Sequence, residues 1–175
     1  TYGLAATPHS AGGVRQLFSL PENIQMSRFS VGFYADFARS MAVEGYLAEI
    51  DFCRQGYLFL VSSRGASQLE ANYRLQSAEG VQVELMGRPA LNNRFPSIGN
   101  EDVALAAYSP EDGWIDPASA LQGFKRKAKS LGVTYIEARV TTLETGNRKV
   151  QAAHLEQGNV VQADIFVNAA GAWAT

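Results

Sequence analysis

Large apolar residues recur at steps of three or four through Met26, Phe29, Phe33, Phe37 and Met41. That spacing lines one face of an amphipathic helix, and the stripe is expected to be core. Ser19-Leu20-Pro21-Glu22 supplies the start. Ser19 can cap, proline is tolerated in a first turn, and Glu22 completes a capping box; Gly45 supplies a stop. Gly56 to Val61 is rich in strand formers and bounded by turn residues, which predicts a mostly buried strand. Ala66 to Ala78 predicts a short helix ended by Gly80. Val81, Val83 and Leu85 alternate with Gln82 and Glu84, the period of a half-buried strand. Residues 89–100, with prolines and asparagines throughout, read as loop, and Val103 to Tyr108 as a strand.

In the second half, Asp112-Gly113-Trp114-Ile115-Asp116-Pro117 reads as a turn running into a capped helix. Asp116 sits at the N-cap and Pro117 at the first helical position. Leu121, Phe124, Ala128 and Leu131 form the expected apolar stripe, and Gly132 the stop. Val133 to Ile136 begins a strand. Val140 to Leu143 and Val150 to Leu155 flank Thr145-Gly146-Asn147-Arg148, which is hairpin chemistry. A turn at 157–159 leads to Val160-Val161, and a closing strand is expected at Ile165 to Val167. From residue 117 the order is helix, strand, meander, then a strand ending in Ala169-Ala170-Gly171. This is the order of a dinucleotide-binding half without its opening strand, glycine turn and helix.

Composition narrows the class. The 175 residues are 46% hydrophobic and 18% charged, with a formal net charge of -2. They predict a globular protein without the basic stripe of a nucleic-acid binder. No apolar run approaches a membrane span, so no transmembrane segment is expected. Cys53 is the single cysteine, which excludes an internal disulfide and favours a reducing, cytoplasmic setting. It is expected as a buried small hydrophobe. Two distant histidines, His9 and His154, with one cysteine make no metal-ligand pattern, so no metal is expected. The chain begins at Thr1 and stops after an apolar strand and a glycine turn, which reads as a piece of a larger protein.

Two small-residue segments carry the candidate chemistry: Ser10-Ala11-Gly12-Gly13-Val14-Arg15-Gln16 near the start and Asn168-Ala169-Ala170-Gly171-Ala172-Trp173 near the end. Small side chains let main-chain N–H groups approach a flat ligand, and the two segments suggest a shared cleft. The first segment, continued by Phe18-Ser19-Leu20-Pro21-Glu22-Asn23, resembles the loop after the ribose-binding strand in FAD-dependent amine and amino-acid oxidoreductases. Sarcosine oxidase, glycine oxidase, D-amino-acid dehydrogenase and the FAD-dependent oxidoreductase domain proteins belong to that group. Gly56-Tyr57-Leu58, the 112–117 segment and the 168–173 segment recur there in the same order. The likeness covers essentially the whole chain.

That resemblance implies an α/β (α+β) fold. Residues 1–18 and 112–175 would form an incomplete FAD-binding domain with a β-meander, and residues 19–111 an antiparallel-sheet substrate domain with helices. It implies FAD, with the backbone of Ser10, Ala11, Gly12, Gly13 and Val14 against the isoalloxazine ring. Val140 would touch the adenine, Ala170 and Gly171 would pack near the pyrophosphate, and Ala169 and Trp173 would complete that segment. Arg15 aligns with an arginine that grips a substrate carboxylate, for which a guanidinium is a planar, bidentate match. The implied reaction is oxidation of the C–N bond of a small amine or amino acid by hydride transfer to flavin.

The glycine fingerprint and the acidic ribose partner of the group are absent from these residues. The isolated stretch is therefore expected to bind FAD weakly and to be inactive. It is also expected to dimerise through an exposed sheet edge. The alternative is a non-catalytic flavoprotein-fold binding module or assembly factor. His9 reads as a loop histidine, Tyr57 and Trp114 as pocket-wall or core aromatics, and Cys53 has no claim to a covalent flavin link.

Overall fold

The computed structural model describes residues 5–173 and divides into two units, 1–127 and 128–175. In the first unit, Pro21 opens helix α1 (Pro21–Ala35) in a first turn where its missing N–H costs nothing. The capping box expected of Ser19 and Glu22 does not form. Leu20 occupies the N-cap without a side-chain bond, and the Ile24 N–H donates to its carbonyl at 3.1 Å. The helix breaks at Asp36, and a single turn, α2 (Phe37–Ser40), follows.

The buried face of these helices is Ile24, Val31 and Phe37, whereas Met26 and Phe29 are 60% and 75% exposed. The expected Met/Phe core stripe is thus corrected. A step of two residues turns a helix by about 200°, so positions 26 and 29 point away from 24 and 31. Phe33 and Met41 pack partly against the core.

Strands β2 (Tyr57–Val61), β3 (Glu84–Gly87) and β4 (Leu105–Ser109) form an antiparallel sheet in the order β2-β4-β3. The alanines of the central strand, Ala106 and Ala107, are both buried. Helix α3 (Ala66–Ala78) lies where expected. The strand expected from Val81 begins only at Glu84; Val81 instead joins Leu17 and Ile24 in a separate cluster. Residues 89–100, expected as loop, include helix α4 (Arg88–Arg94), with Pro89 in its first turn. Fully buried Leu91 anchors it against Met86 and Ala106.

A short antiparallel pair closes the unit: β1 (Gly13–Val14) against β5 (Gly113–Trp114). Helix α5 (Pro117–Ser130) starts as expected. Asp116 accepts the Ala118 N–H at 2.9 Å and the Ser119 hydroxyl at 2.5 Å. The buried positions of α5 are Ala120 and Gly123, not the expected stripe; Phe124 and Leu131 are 44% and 74% exposed. The Phe37 ring occupies the space where a side chain at 123 would sit. Val14, Val31, Phe37, Ala48, Ile50, Ile115 and Ala120 make one core cluster.

In the second unit, β6 (Val140–Gly146), β7 (Lys149–Leu155) and β8 (Val160–Gln162) form the expected antiparallel meander. Asn147 and Arg148 turn the first hairpin with φ of 51° and 61°, the pattern of a two-residue turn that follows strand twist. Ala152, Ala153 and Leu155 are its buried residues. The strands expected at 133–136 and 165–167 are not seen. A strand is stabilised by a hydrogen-bonded ladder to a neighbouring strand, and neither segment joins any of the three sheets among the described residues. Ile165 and Val167 are 80% and 83% exposed. The mixed helix-and-sheet class is as expected. No helix among the described residues is long and apolar enough to cross a membrane.

Candidate functional site

In the first unit, a cavity of about 690 Å³ is walled by Ser10, Gly12, Gly13, Val14 and Arg15 of the N-terminal loop. Ser27, Ser30 and Tyr34 of α1 add hydroxyl groups, and Pro117, Ala120, Leu121 and Phe124 of α5 add an apolar side. The loop is held tightly. Gly12 adopts φ +72°, a region that L side chains enter at a cost. Its carbonyl accepts the Ile115 N–H at 3.0 Å, and its N–H donates to Ser10 Oγ at 3.0 Å. A Cβ on Gly12 would run into the Ile115 carbonyl, and one on Gly13 would lie 3.0 Å from the Tyr57 hydroxyl. The wall at 12–13 is therefore main chain.

Arg15 is half-buried. Its guanidinium carbon lies 4.9 Å from the ring centre of Phe18, 5.4 Å from Phe59 and 6.0 Å from Tyr57, a cation–π setting that favours the charge. Among the described residues no carboxylate pairs with it. Its N–H groups remain available for an anion.

The next residue is fixed across the fold. Asp112 is fully buried and accepts both the main-chain N–H of Gln16 and its Nε2–H, each at 2.9 Å. Burial pushes the Asp112 carboxyl above its ordinary value, and the two Gln16 bonds pull part of the way back. The Ser109 hydroxyl, buried beside it, adds a weaker downward pull although it completes no hydrogen bond of good geometry. The half-buried Asp116 carboxyl is held below its ordinary value, first by the Ser119 hydroxyl and then by the Ala118 N–H.

Five of the expected residues, Ser10, Gly12, Gly13, Val14 and Arg15, thus share one cavity, while Ala11 is exposed and does not line it. The other expected residues lie in the second unit. Val140 opens β6 opposite Leu155. Ala169, Ala170 and Gly171 are exposed, and Asn168 Oδ1 accepts the Ala170 N–H at 3.1 Å. Trp173 ends a 3-10 turn, and its side chain falls outside the described residues. Exposed His9 and half-buried Cys53 take no part in the cavity. Cys53 departs from its expected burial because it is an edge position, bridged through its main chain to Trp114. Sequence reasoning missed Asp112 with Gln16, and the rings of Phe18 and Phe59. No local signal marks them, since Asp112 and Gln16 stand 96 residues apart.

Residues 1–175 match the family described as FAD dependent oxidoreductase, DAO. The chain belongs to the FAD dependent oxidoreductase family. It is 40% identical to FAD-dependent oxidoreductase domain-containing protein 1 of Xenopus laevis over 195 residues, covering 100% of this chain and 39% of that protein. Mitochondrial sarcosine dehydrogenase of Mus musculus is 30% identical over 131 residues, 70% of this chain and 14% of that protein. L-proline dehydrogenase from P. horikoshii superposes with a TM-score of 0.82 at 26% identity, over 96% of this chain and 43% of that one. This DAO-family chain therefore spans about two fifths of the length of its Xenopus relative. The family implies FAD in the complete protein. The cavity fits part of such a group: a main-chain wall at Gly12 and Gly13 admits a flat ring, and Arg15, without a carboxylate partner among the described residues, stands beside it.

Proposed function

We propose that the complete protein oxidises the C–N bond of an amine or amino acid, with the carboxylate of the substrate held by Arg15. The observation that carries this reading is the Arg15 guanidinium, which borders the cavity with aromatic rings near it and no carboxylate partner among the described residues. Rings against a guanidinium face leave its in-plane N–H fork free for a bidentate anion. FAD, when bound, supplies the acceptor for the two electrons and the hydrogen leaving the carbon beside nitrogen. The chain's own part is to bind and orient. Arg15 fixes one end of the substrate, and the apolar side at Leu121 and Phe124 excludes water.

In this reading Ser10, Gly12, Gly13 and Val14 meet the ring of the cofactor. Ala11 contributes main chain only, and Val140, Ala169, Ala170, Gly171 and Trp173 meet its nucleotide part. The pairing of β1 with β5 supports assigning residues 1–18 together with the segment that starts at 112 to the FAD-binding part; extending that part to 175, and giving 19–111 to the substrate part, belong to the same proposal.

The test is steady-state oxidation of N-methylated and cyclic amino acids by the complete, FAD-loaded protein with a dye acceptor. Turnover is expected, and Arg15→Met should raise KM for the carboxylated substrates about tenfold or more, the worth of a charge-assisted hydrogen bond. No turnover with any amine, or an Arg15→Met protein with unchanged KM, would count against the proposal.

A further inference from the structure

We propose that Asp112 is a positioning residue for Arg15, acting through a clamp on the loop that carries it; this rests on the carboxylate role of Arg15 above. The Arg15 side chain has no hydrogen bond of its own to the rest of the described protein. Its direction is therefore set by the main chain beside it and by the rings it lies against. Both are fixed by buried polar side chains from distant segments.

On one side, Asp112 takes both N–H groups of Gln16, at 2.9 Å each, with Gln16 3% exposed and Asp112 fully buried. Two parallel bonds to one carboxylate determine orientation as well as position. On the other side, Gln76 of α3, 3% exposed, donates Nε2–H to the Phe18 carbonyl at 2.9 Å. Between them, the Phe18 N–H folds back to the Gln16 carbonyl at 2.8 Å. The Phe18 ring, 4.9 Å from the guanidinium carbon, is thus tied to the same three-residue turn as the arginine. The turn that carries Asp112 is itself pinned, its carbonyl accepting the Gly56 N–H at 2.8 Å next to Tyr57. Arg15, Phe18 and Tyr57 therefore share Asp112 as a common anchor. A carboxylate there does what an amide or hydroxyl does less well: it accepts from two donors at once with no donor of its own to satisfy.

A buried aspartate could serve stability alone, so the test reads carboxylate preference rather than overall activity. The complete protein is titrated by calorimetry with isobutyrate and with isobutyramide, which share a shape and differ in charge. Wild type should prefer the carboxylate, and Arg15→Met should lose about tenfold or more of that preference. Asp112→Ala should lose several-fold of it, with affinity for the amide little changed. Asp112→Asn should keep most of it, because Asn Oδ1 still accepts the Gln16 N–H and the Gln16 amide can turn to offer its oxygen.

Should Asp112→Ala fail to fold, Gln16→Leu cuts only the side-chain arm and should produce a smaller loss in the same direction. Full preference retained in folded Asp112→Ala, or in Gln16→Leu where the alanine variant is unfolded, overturns the clamp while leaving Arg15 in its role. Equal losses for carboxylate and amide would also overturn it, as a purely structural effect. A wild type without preference, or an Arg15→Met that keeps it, overturns the reading of Arg15 and the clamp with it.

Discussion

Replacing Gly12 by alanine should cost far more than the same change at Gly45, although both residues have left-handed φ, +72° and +80°. At Gly45 nothing lies within 4 Å of an added Cβ, so the cost is the conformational term alone, roughly 1–2 kcal/mol. At Gly12 the added carbon meets the Ile115 carbonyl. Relief requires the loop to move away from Ile115, which sacrifices the 3.0 Å bond from the Ile115 N–H to the Gly12 carbonyl. That adds roughly 1 kcal/mol for the bond and 1–3 kcal/mol for any buried group left unpaired. Gly12→Ala is thus expected to destabilise by about 3–6 kcal/mol in total. Urea unfolding of the two variants in the complete protein gives the difference, and amide exchange at Ile115 localises it. A Gly12→Ala protein no less stable than Gly45→Ala, with Ile115 still protected, would refute the contact and the tight main-chain wall built on it.

Two further outcomes follow from the same geometry. Asp112 has its folded pKa raised from 3.8 by burial, so its ionised form opposes folding. Its contribution is most favourable below pH 3.8 and is lost as pH rises through the folded value. Asp112→Asn should therefore gain on wild type as pH rises through that window, and urea midpoints taken from pH 3 to pH 7 would contradict this if the two curves stayed parallel. Phe37 is fully buried and packs edge-on against Phe33 and Phe124 at 5.6 and 5.1 Å. Phe37→Ala should cost about 3–5 kcal/mol in the same urea assay, and a loss below 1 kcal/mol would mean that the packing of α2 against α1 and α5 is not a core.

The features legible in the sequence are those made by neighbours along the chain. The Asp116-Pro117 start of α5, the span of α3 and the hairpin around Asn147-Arg148 each depend on a few adjacent residues, and each lies where the pattern placed it. Helix α4 hides in a stretch whose prolines and asparagines suggest loop, because Pro89 there starts a helix and Leu91 supplies the anchor. The buried face of α1 is masked in the sequence because bulky residues at 26 and 29 outweigh Ile24 and Val31, whose burial depends on what packs above them. Apolar character alone suggested strands at 133–136 and 165–167, but a ladder also needs a partner. In the candidate site, glycines and arginine stood out by type. The residues that hold them, Asp112 and Gln76, come from far along the chain and leave no local trace.

The distance between the two halves of the Arg15 wall has a consequence for biosynthesis. The loop at 10–18 is made about a hundred residues before its antiparallel partner at Gly113-Trp114 and its anchor Asp112. Closing so long a loop is an entropic cost met only when both ends exist. Until then Gln16 and the Gly12 carbonyl lack their native partners on the growing chain. A ribosome paused before residue 112 would therefore hold a nascent protein with helices α1, α3 and α4 already made and no binding wall. Emergence of the short Asp112–Pro117 stretch from the ribosome is the moment at which that wall can first assemble.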